Sequence, residues 1–227
     1  MEITFIGHAT FELAEGDARV LIDPFLAPNN PVAKVSADEL EPTHVLLTHA
    51  HSDHTADAVA VAKRTGAECV AITELAGWLE GQGVEKVTNP NLGGTVEFDW
   101  GSVRLVPALH TTTTPDGTPG GVTAGLVIEI GGRTVYHLGD TALFSDLALV
   151  PKRSPVDVAL IPIGGHFTMD RHDAAEAAAL IAATTVIPCH YNTFPQVAAD
   201  AEAFKADVES QASSEVVILE PGESWSA

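Results

Sequence analysis

Thr48-His49-Ala50-His51-Ser52-Asp53-His54 brings three imidazoles and a carboxylate together directly after the apolar run Val45-Leu46-Leu47. An apolar run without alternation suits a strand buried on both faces, so the histidines are expected at the end of such a strand. In an extended stretch His49 and His51 project to the same side, where both reach one cation at about 2.0–2.1 Å. Asp53 and His54, just beyond, turn toward a second position. Such a cluster has little structural reason to exist alone, because charged imidazoles repel and buried neutral ones need partners.

The same placement, a nitrogen or oxygen donor after an apolar strand, recurs far along the chain. His110 follows Val106-Pro107-Ala108, Asp140 lies in Leu138-Gly139-Asp140-Thr141, and His190 follows Val186-Ile187-Pro188-Cys189. Strand ends that share one edge of a fold converge, and these donors suit zinc, iron or manganese. Around them the pattern predicts strands at 3–6, 10–13, 19–22, 45–48, 69–72, 95–98, 103–108, 124–130, 134–138, 156–163, 186–189 and 216–219. Helices are predicted at 56–64, 74–82, 171–183 and 198–210, with Asp170 capping the third and Gly131-Gly132 closing a hairpin. Strands outnumber what one small sheet holds, so two stacked sheets covered by helices are expected, in one domain spanning residues 1–227.

The motif H-x-H-x-D-H, followed by a His, an Asp and a His at later strand ends, resembles the metallo-β-lactamase-fold hydrolases over nearly the whole chain. Ile6-Gly7-His8-Ala9-Thr10-Phe11, Gly164-Gly165-His166-Phe167-Thr168-Met169 and His190-Tyr191-Asn192-Thr193-Phe194-Pro195 are similar to a small branch of metal-dependent hydrolases within it. Relatives of that branch include ascorbate-phosphate lactonases and the phospholipase D that releases N-acylethanolamines. The resemblance implies an α/β fold, the αββα four-layer sandwich with two mixed β-sheets flanked by helices. It further implies that His49, His51 and His110 hold one divalent metal ion, that Asp53, His54 and His190 hold a second, and that Asp140 bridges them. Zinc is the first expectation, with manganese, iron and nickel as alternatives. Asp140 stands where some β-lactamases carry a cysteine, which favours the bridged two-metal type. A metal-bridging hydroxide would attack a small ester, lactone or related substrate. Asp53 would orient it or pass a proton to the leaving group.

His166, in a Gly-Gly loop where backbone approaches a ligand closely, is the candidate for a substrate contact or general acid. His8, Tyr191 and Asn192 are further candidate substrate contacts, with hydrogen bonding or loop fixing as their structural alternatives. Thr111 to Gly121 reads either as a mobile rim or as a solvated loop, while His44, His137 and Cys189 read as structural. Two other functions fit the same ligands: a phosphodiesterase acting on small phosphoesters, and a diiron redox or gas-binding protein.

Composition narrows the partners. With 11 Lys and Arg against 31 Asp and Glu the net charge is −20, which repels phosphate backbones and anionic membranes at long range. A small-molecule substrate is therefore expected, with no nucleic acid and no membrane; a homo-oligomer remains open. Two cysteines, Cys69 and Cys189, form no disulfide framework, and the opening Met1-Glu2-Ile3-Thr4-Phe5-Ile6 has no basic region or cleavage pattern. These features point to a cytoplasmic protein. G-x-S-x-G and G-x-x-x-x-G-K-[ST] motifs are both missing, which leaves serine-hydrolase and nucleoside-triphosphatase readings without support.

Overall fold

The computed structural model describes residues 1–227. Alternating apolar residues separated by tight turns build an antiparallel meander from β1 (Glu2–Gly7), β2 (Thr10–Glu15) and β3 (Ala18–Ile22). β4 (His44–Leu46), β5 (Glu68–Val70) and β6 (Val87–Thr88) then add in parallel. Parallel neighbours require a crossover. α1 (Ser52–Thr55) and α2 (Ala58–Thr65) supply the one between β4 and β5, and α3 (Thr73–Gly81) the one between β5 and β6. Val61 and Ala62 of α2 and Leu75 and Leu79 of α3 are buried in the core beside this sheet.

The second sheet repeats the scheme. β7 (Thr95–Phe98), β8 (Gly101–Pro107), β9 (Ala124–Ile130) and β10 (Arg133–His137) run antiparallel, and β11 (Val158–Pro162), β12 (Thr185–Cys189) and β13 (Glu215–Val216) follow in parallel. α4 (Val150–Arg153), α5 (Arg171–Ile181) and α6 (Ala201–Gln211) occupy its crossovers. A last strand, β14 (Glu223–Ser226), returns to pair antiparallel with β1. Each sheet thus has seven strands, in the orders β14-β1-β2-β3-β4-β5-β6 and β13-β12-β11-β10-β9-β8-β7. Phe5, Phe11 and Leu13 of the first sheet share one core with Leu105, Leu126 and Leu160 of the second. Tyr136, Ile161 and Val186, on the other face of the second sheet, pack on Ala174, Ala178, Ile181 and Phe204 of α5 and α6. Each large side chain so buried contributes about 1.5–3 kcal/mol. The layers are helix, sheet, sheet, helix.

Three expectations are adjusted. The strand at 45–48 ends at Leu46, and Ser52–Thr55 coil into α1, so Asp53 and His54 leave on a helical turn. The strand at 216–219 shrinks to Glu215–Val216, whereas β6, β14 and the helical stretch Ser145–Arg153 were not foreseen. These pieces are too short to show a period, and pairing with long neighbours holds them in place. Asp170 caps α5 as expected, accepting from the backbone N–H of His172 and Asp173 at 2.9 and 3.1 Å.

Hydrogen bonds between elements fix the strand ends that matter. Ala124 N–H donates to Thr48 O at 2.9 Å, His190 N–H to His8 O at 2.6 Å, and His137 Nε2 to Ala9 O at 2.9 Å, each joining one sheet to the other. Gly164 lets β11 run against the turn after β12: a Cβ there would lie 2.1 Å from His190 O and 2.8 Å from Val197 Cβ. Gly164→Ala is therefore expected to destabilise the fold by about 1–3 kcal/mol through overpacking. A lowered urea midpoint would register this, and an unchanged midpoint would show that the close approach is not needed.

Candidate metal centre

Strand ends from both sheets deliver the donors. His8 follows β1, Asp23 follows β3, His49 and His51 follow β4, His110 follows β8, Asp140 follows β10, and His190 follows β12. His8, Asp23 and His190 have φ of 60°, 46° and 53°, in the left-handed region. Non-glycine residues adopt it at a cost of roughly 1–2 kcal/mol each, so the chain bends sharply where a donor must face inward.

Two donor groups stand apart, and a third, Asp23 with His49 and His54, shares a member with each. His49 Nε2 lies 3.0 Å from His51 Nδ1, which in turn lies 3.3 Å from His110 Nε2. In the second group, His8, Asp53, His54 and His190 each offer an atom within 4.8 Å of the others. Asp140 stands between the groups. Its Oδ2 is 3.1 Å from His190 Nε2, 3.6 Å from His110 Nε2 and 3.9 Å from His49 Nε2, and its Oδ1 is 3.4 Å from His54 Nε2. All seven residues that the sequence offered as metal donors thus lie in one cluster.

A further shell, which the sequence reading missed, orients them. Asp23 is fully buried; its carboxylate accepts from His54 Nδ1 at 2.8 Å, from Thr48 N–H at 2.8 Å and from the Thr48 hydroxyl at 2.6 Å. With its hydroxyl hydrogen committed, Thr48 Oγ1 accepts from His49 Nδ1 at 3.0 Å. His49 and His54 therefore turn their Nε2 atoms inward, as outer partners of ligating histidines do. His8 is buried as well. Its Nε2–H donates to Asp53 Oδ2 at 3.1 Å, and its Nδ1 accepts from the Thr193 hydroxyl at 2.9 Å. The only sequence-level sign of Asp23 is an acid immediately after the apolar strand Val20-Leu21-Ile22.

The substrate contacts fare differently. Both nitrogens of His8 are occupied and its side chain is inaccessible, which fits its hydrogen-bonding alternative, a contact to Asp53. Asn192 accepts from Ala199 N–H at 3.0 Å and Tyr191 packs with the core on the helix side of the second sheet, so both shape the loop after His190. His166 is exposed outside the cluster, its ring 4.5 Å from that of Phe167. The stretch 111–121 is stitched down. Thr112 Oγ1 accepts from Ala50 N–H at 2.8 Å, and Asp116 accepts from Trp78 Nε1 at 2.8 Å.

The donor chemistry fits metal ions. His54 Nε2, Asp140 Oδ1 and both nitrogens of His190 are buried without a hydrogen-bond partner, although buried polar atoms are ordinarily satisfied. Every ion-pair partner of Asp23, Asp53 and Asp140 is a histidine, with no Lys or Arg among them. Burial holds His49 well below the ordinary imidazole range and lowers His51 and His110, leaving neutral donors. Burial likewise lowers His8 to about 4, against the pull of its hydrogen bond to Asp53. Burial opposes the charge on His54, yet Asp140 and Asp23 push it well above its usual value. Asp140 is held well below the carboxylate range; burial opposes this, and the His190 and His54 imidazoles outweigh it. Asp53 is lowered too, burial being overcome by the hydrogen bond from His8 and the charge of His54.

These shifts make the stability of the metal-free protein vary with pH. Between the folded value of about 4 for His8 and its ordinary 6.5, the unfolded chain binds more protons, and depressed His49 acts the same way. Stability is therefore lost as pH falls through that window. Raised His54 works oppositely: its contribution is complete below 6.5 and is lost as pH climbs toward its folded value. The urea midpoint of chelator-treated protein should peak near pH 6.5 and fall on both sides. A midpoint rising steadily to about pH 9 would contradict the ion pairing of His54.

The model of the β-lactamase superfamily domain matches residues 2–190. A UPF0173 metal-dependent hydrolase of Natranaerobius thermophilus is 44% identical over 224 residues, covering 99% of this chain and 98% of the relative. One from Methanopyrus kandleri is 47% identical over 229 residues, covering 99% of both. Among solved structures, the metallo hydrolase Igni18 of Ignicoccus hospitalis superposes with a TM-score of 0.89 at 36% identity, covering 99% of this chain and 97% of that one. With full-length similarity in sequence and in fold, the chain belongs to the β-lactamase superfamily, among its UPF0173 metal-dependent hydrolases.

Proposed function

We propose that the chain hydrolyses a small ester, lactone or related substrate at a two-ion centre. His49, His51 and His110 hold one ion, Asp53, His54 and His190 the other, and Asp140 lies between them. The observation carrying this reading is the set of buried, unpartnered atoms on His54, Asp140 and His190, in a site whose carboxylates lack any Lys or Arg counterion. Imidazole and carboxylate donors suit zinc first, and manganese, iron or nickel next. Bound ions would supply Lewis acidity and lower the pKa of a water toward neutrality.

The chain's own groups do the rest. Asp53, ionised and partly accessible, orients the attacking water and passes a proton to the leaving oxygen. His8, held by Thr193, keeps the Asp53 carboxylate in place. Asp23 and Thr48 fix the tautomers of His54 and His49, so that their inward nitrogens carry lone pairs once an ion replaces the His54 proton.

Elemental mass spectrometry of wild type and His190→Ala, paired with lactone turnover, tests this directly. Two metals per chain falling toward one, with hydrolysis lost, is the expected result. A wild type that binds no metal after reconstitution would end the proposal. Asp23→Asn, which offers His54 an amide in place of a carboxylate, is expected to weaken metal binding about 10–100-fold. A competition titration against a chromophoric chelator measures this, with circular dichroism confirming the retained fold.

A further inference from the structure

Six arginines occur in the chain, and four of them have partners. Arg64, Arg133 and Arg171 pair with Glu41, Asp157 and Asp207, and Arg19 donates to the backbone carbonyls of Gly16 and Ala18. Arg104 and Arg153 form no ion pair and no side-chain hydrogen bond, although the chain carries 31 acidic residues. Arg104 Nη2 is moreover buried without a partner. A buried donor left unpaired is unfavourable, and a charged one more so. These same two arginines line one cavity of about 180 Å³ on the helix side of the second sheet.

Strand alternation places Arg104 there. Val103 and Leu105 face the core between the sheets, so Arg104 and Val106 face the opposite way. Register sets Arg104 beside Val127 and Val127 beside Tyr136, in one row across β8, β9 and β10. Tyr136, only 1% exposed, also lines the cavity, and its hydroxyl makes no hydrogen bond within the chain. Gly125 leaves room for its ring, since a Cβ there would lie 2.9 Å from Tyr136 Cε2. Phe144, Leu149 and Arg153, from the stretch that enters and forms the helical turns before β11, close the other side. Burial and then the charge of Arg153 lower Arg104 below the ordinary guanidinium range, with Glu129 and Tyr136 each pulling the other way more weakly. Two like charges are thus held near enough to repel, without a carboxylate of the chain to balance them.

We infer that this cavity binds a small organic monocarboxylate, its carboxylate held by Arg104, Arg153 and the Tyr136 hydroxyl and its short alkyl or aryl body lying against Val106, Phe144 and Leu149. The guanidinium fork matches the geometry of a carboxylate and carries no acceptor, so this donor set suits an anion. Volume limits the size: at about 30 Å³ for each water the cavity equals about six waters, room for one ring or a short chain and none for a nucleotide. Apolar walls disfavour phosphate or sulfate, whose remaining oxygens would lose their hydration without gaining donors. Asp146, in the same lining, repels a second negative charge. No residue of the metal centre lines the cavity, so binding there needs no metal.

Isothermal titration calorimetry with benzoate tests this on wild type, Arg104→Met and Arg153→Met, each in metal-loaded and chelator-treated form, with benzyl alcohol and inorganic phosphate as comparison ligands. Benzoate is expected to bind wild type in both forms, about 10–100-fold more weakly in Arg104→Met and about two- to fivefold more weakly in Arg153→Met. Benzyl alcohol and phosphate should each bind about tenfold or more below benzoate. Phosphate or benzyl alcohol matching benzoate overturns the inference. So does binding that disappears on chelation and ignores both substitutions, which would locate benzoate at the metal centre. Arg153 is exposed, so its variant keeps the fold, and circular dichroism checks Arg104→Met. Crystals of the wild type soaked in 4-bromobenzoate give a reading that no variant can disturb: a bromine anomalous peak between Phe144 and Leu149 is expected, and a peak only elsewhere, or none, overturns the assignment.

Discussion

The Asp23 carboxylate holds the site in register. It is buried, and it answers three donors from two neighbouring segments: the backbone and hydroxyl of Thr48 and the Nδ1–H of His54. An unpaired carboxylate in that position would cost several kcal/mol, so the three contacts form together or the strand end is misplaced. Through Thr48 the same carboxylate reaches His49. One acid therefore aims one histidine of each donor group, and the buried strands β3 and β4 set the distance over which it acts.

The second sheet answers this with Asp140, whose two oxygens face His54 on one side and His190, His110 and His49 on the other. Bonds between the sheets, among them His190 to His8, His137 to Ala9 and Ala124 to Thr48, make the spacing between donor groups a property of sandwich packing. No loop has to close for the ligands to meet.

Much of this was legible in the residues. The donors of the proposed centre were legible because His49, His110, Asp140 and His190 lie just beyond apolar runs and His51, Asp53 and His54 crowd beside the first of them. The layer order showed because strands and helices alternate with clear periods. Asp23 did not show, since a single acid after a strand is indistinguishable from an ordinary turn residue until its partners are known. His8 stayed open between a substrate contact and a structural hydrogen bond because its position beside β1 was visible and its burial was not. β6 and β14 are too brief for a period, and tertiary pairing alone defines them. The exit of Asp53 and His54 on a helical turn, in place of a continuing strand, also depended on contacts far away in sequence.

The pairing of β14 with β1 has a consequence for how the chain comes together. Read from β14 through β6, the first sheet has three antiparallel junctions and then three parallel ones, the same sequence found from β7 through β13 in the second. Yet the strand that completes the first sheet is supplied only after the whole of the second has been made. During synthesis β1 waits with an open row of main-chain donors and acceptors, the kind of edge on which stray strands nucleate. The ribosome must release residues beyond α6 before that edge is sealed. A nascent chain of this topology thus carries that side of β1 unpaired until β14 emerges behind the whole second sheet.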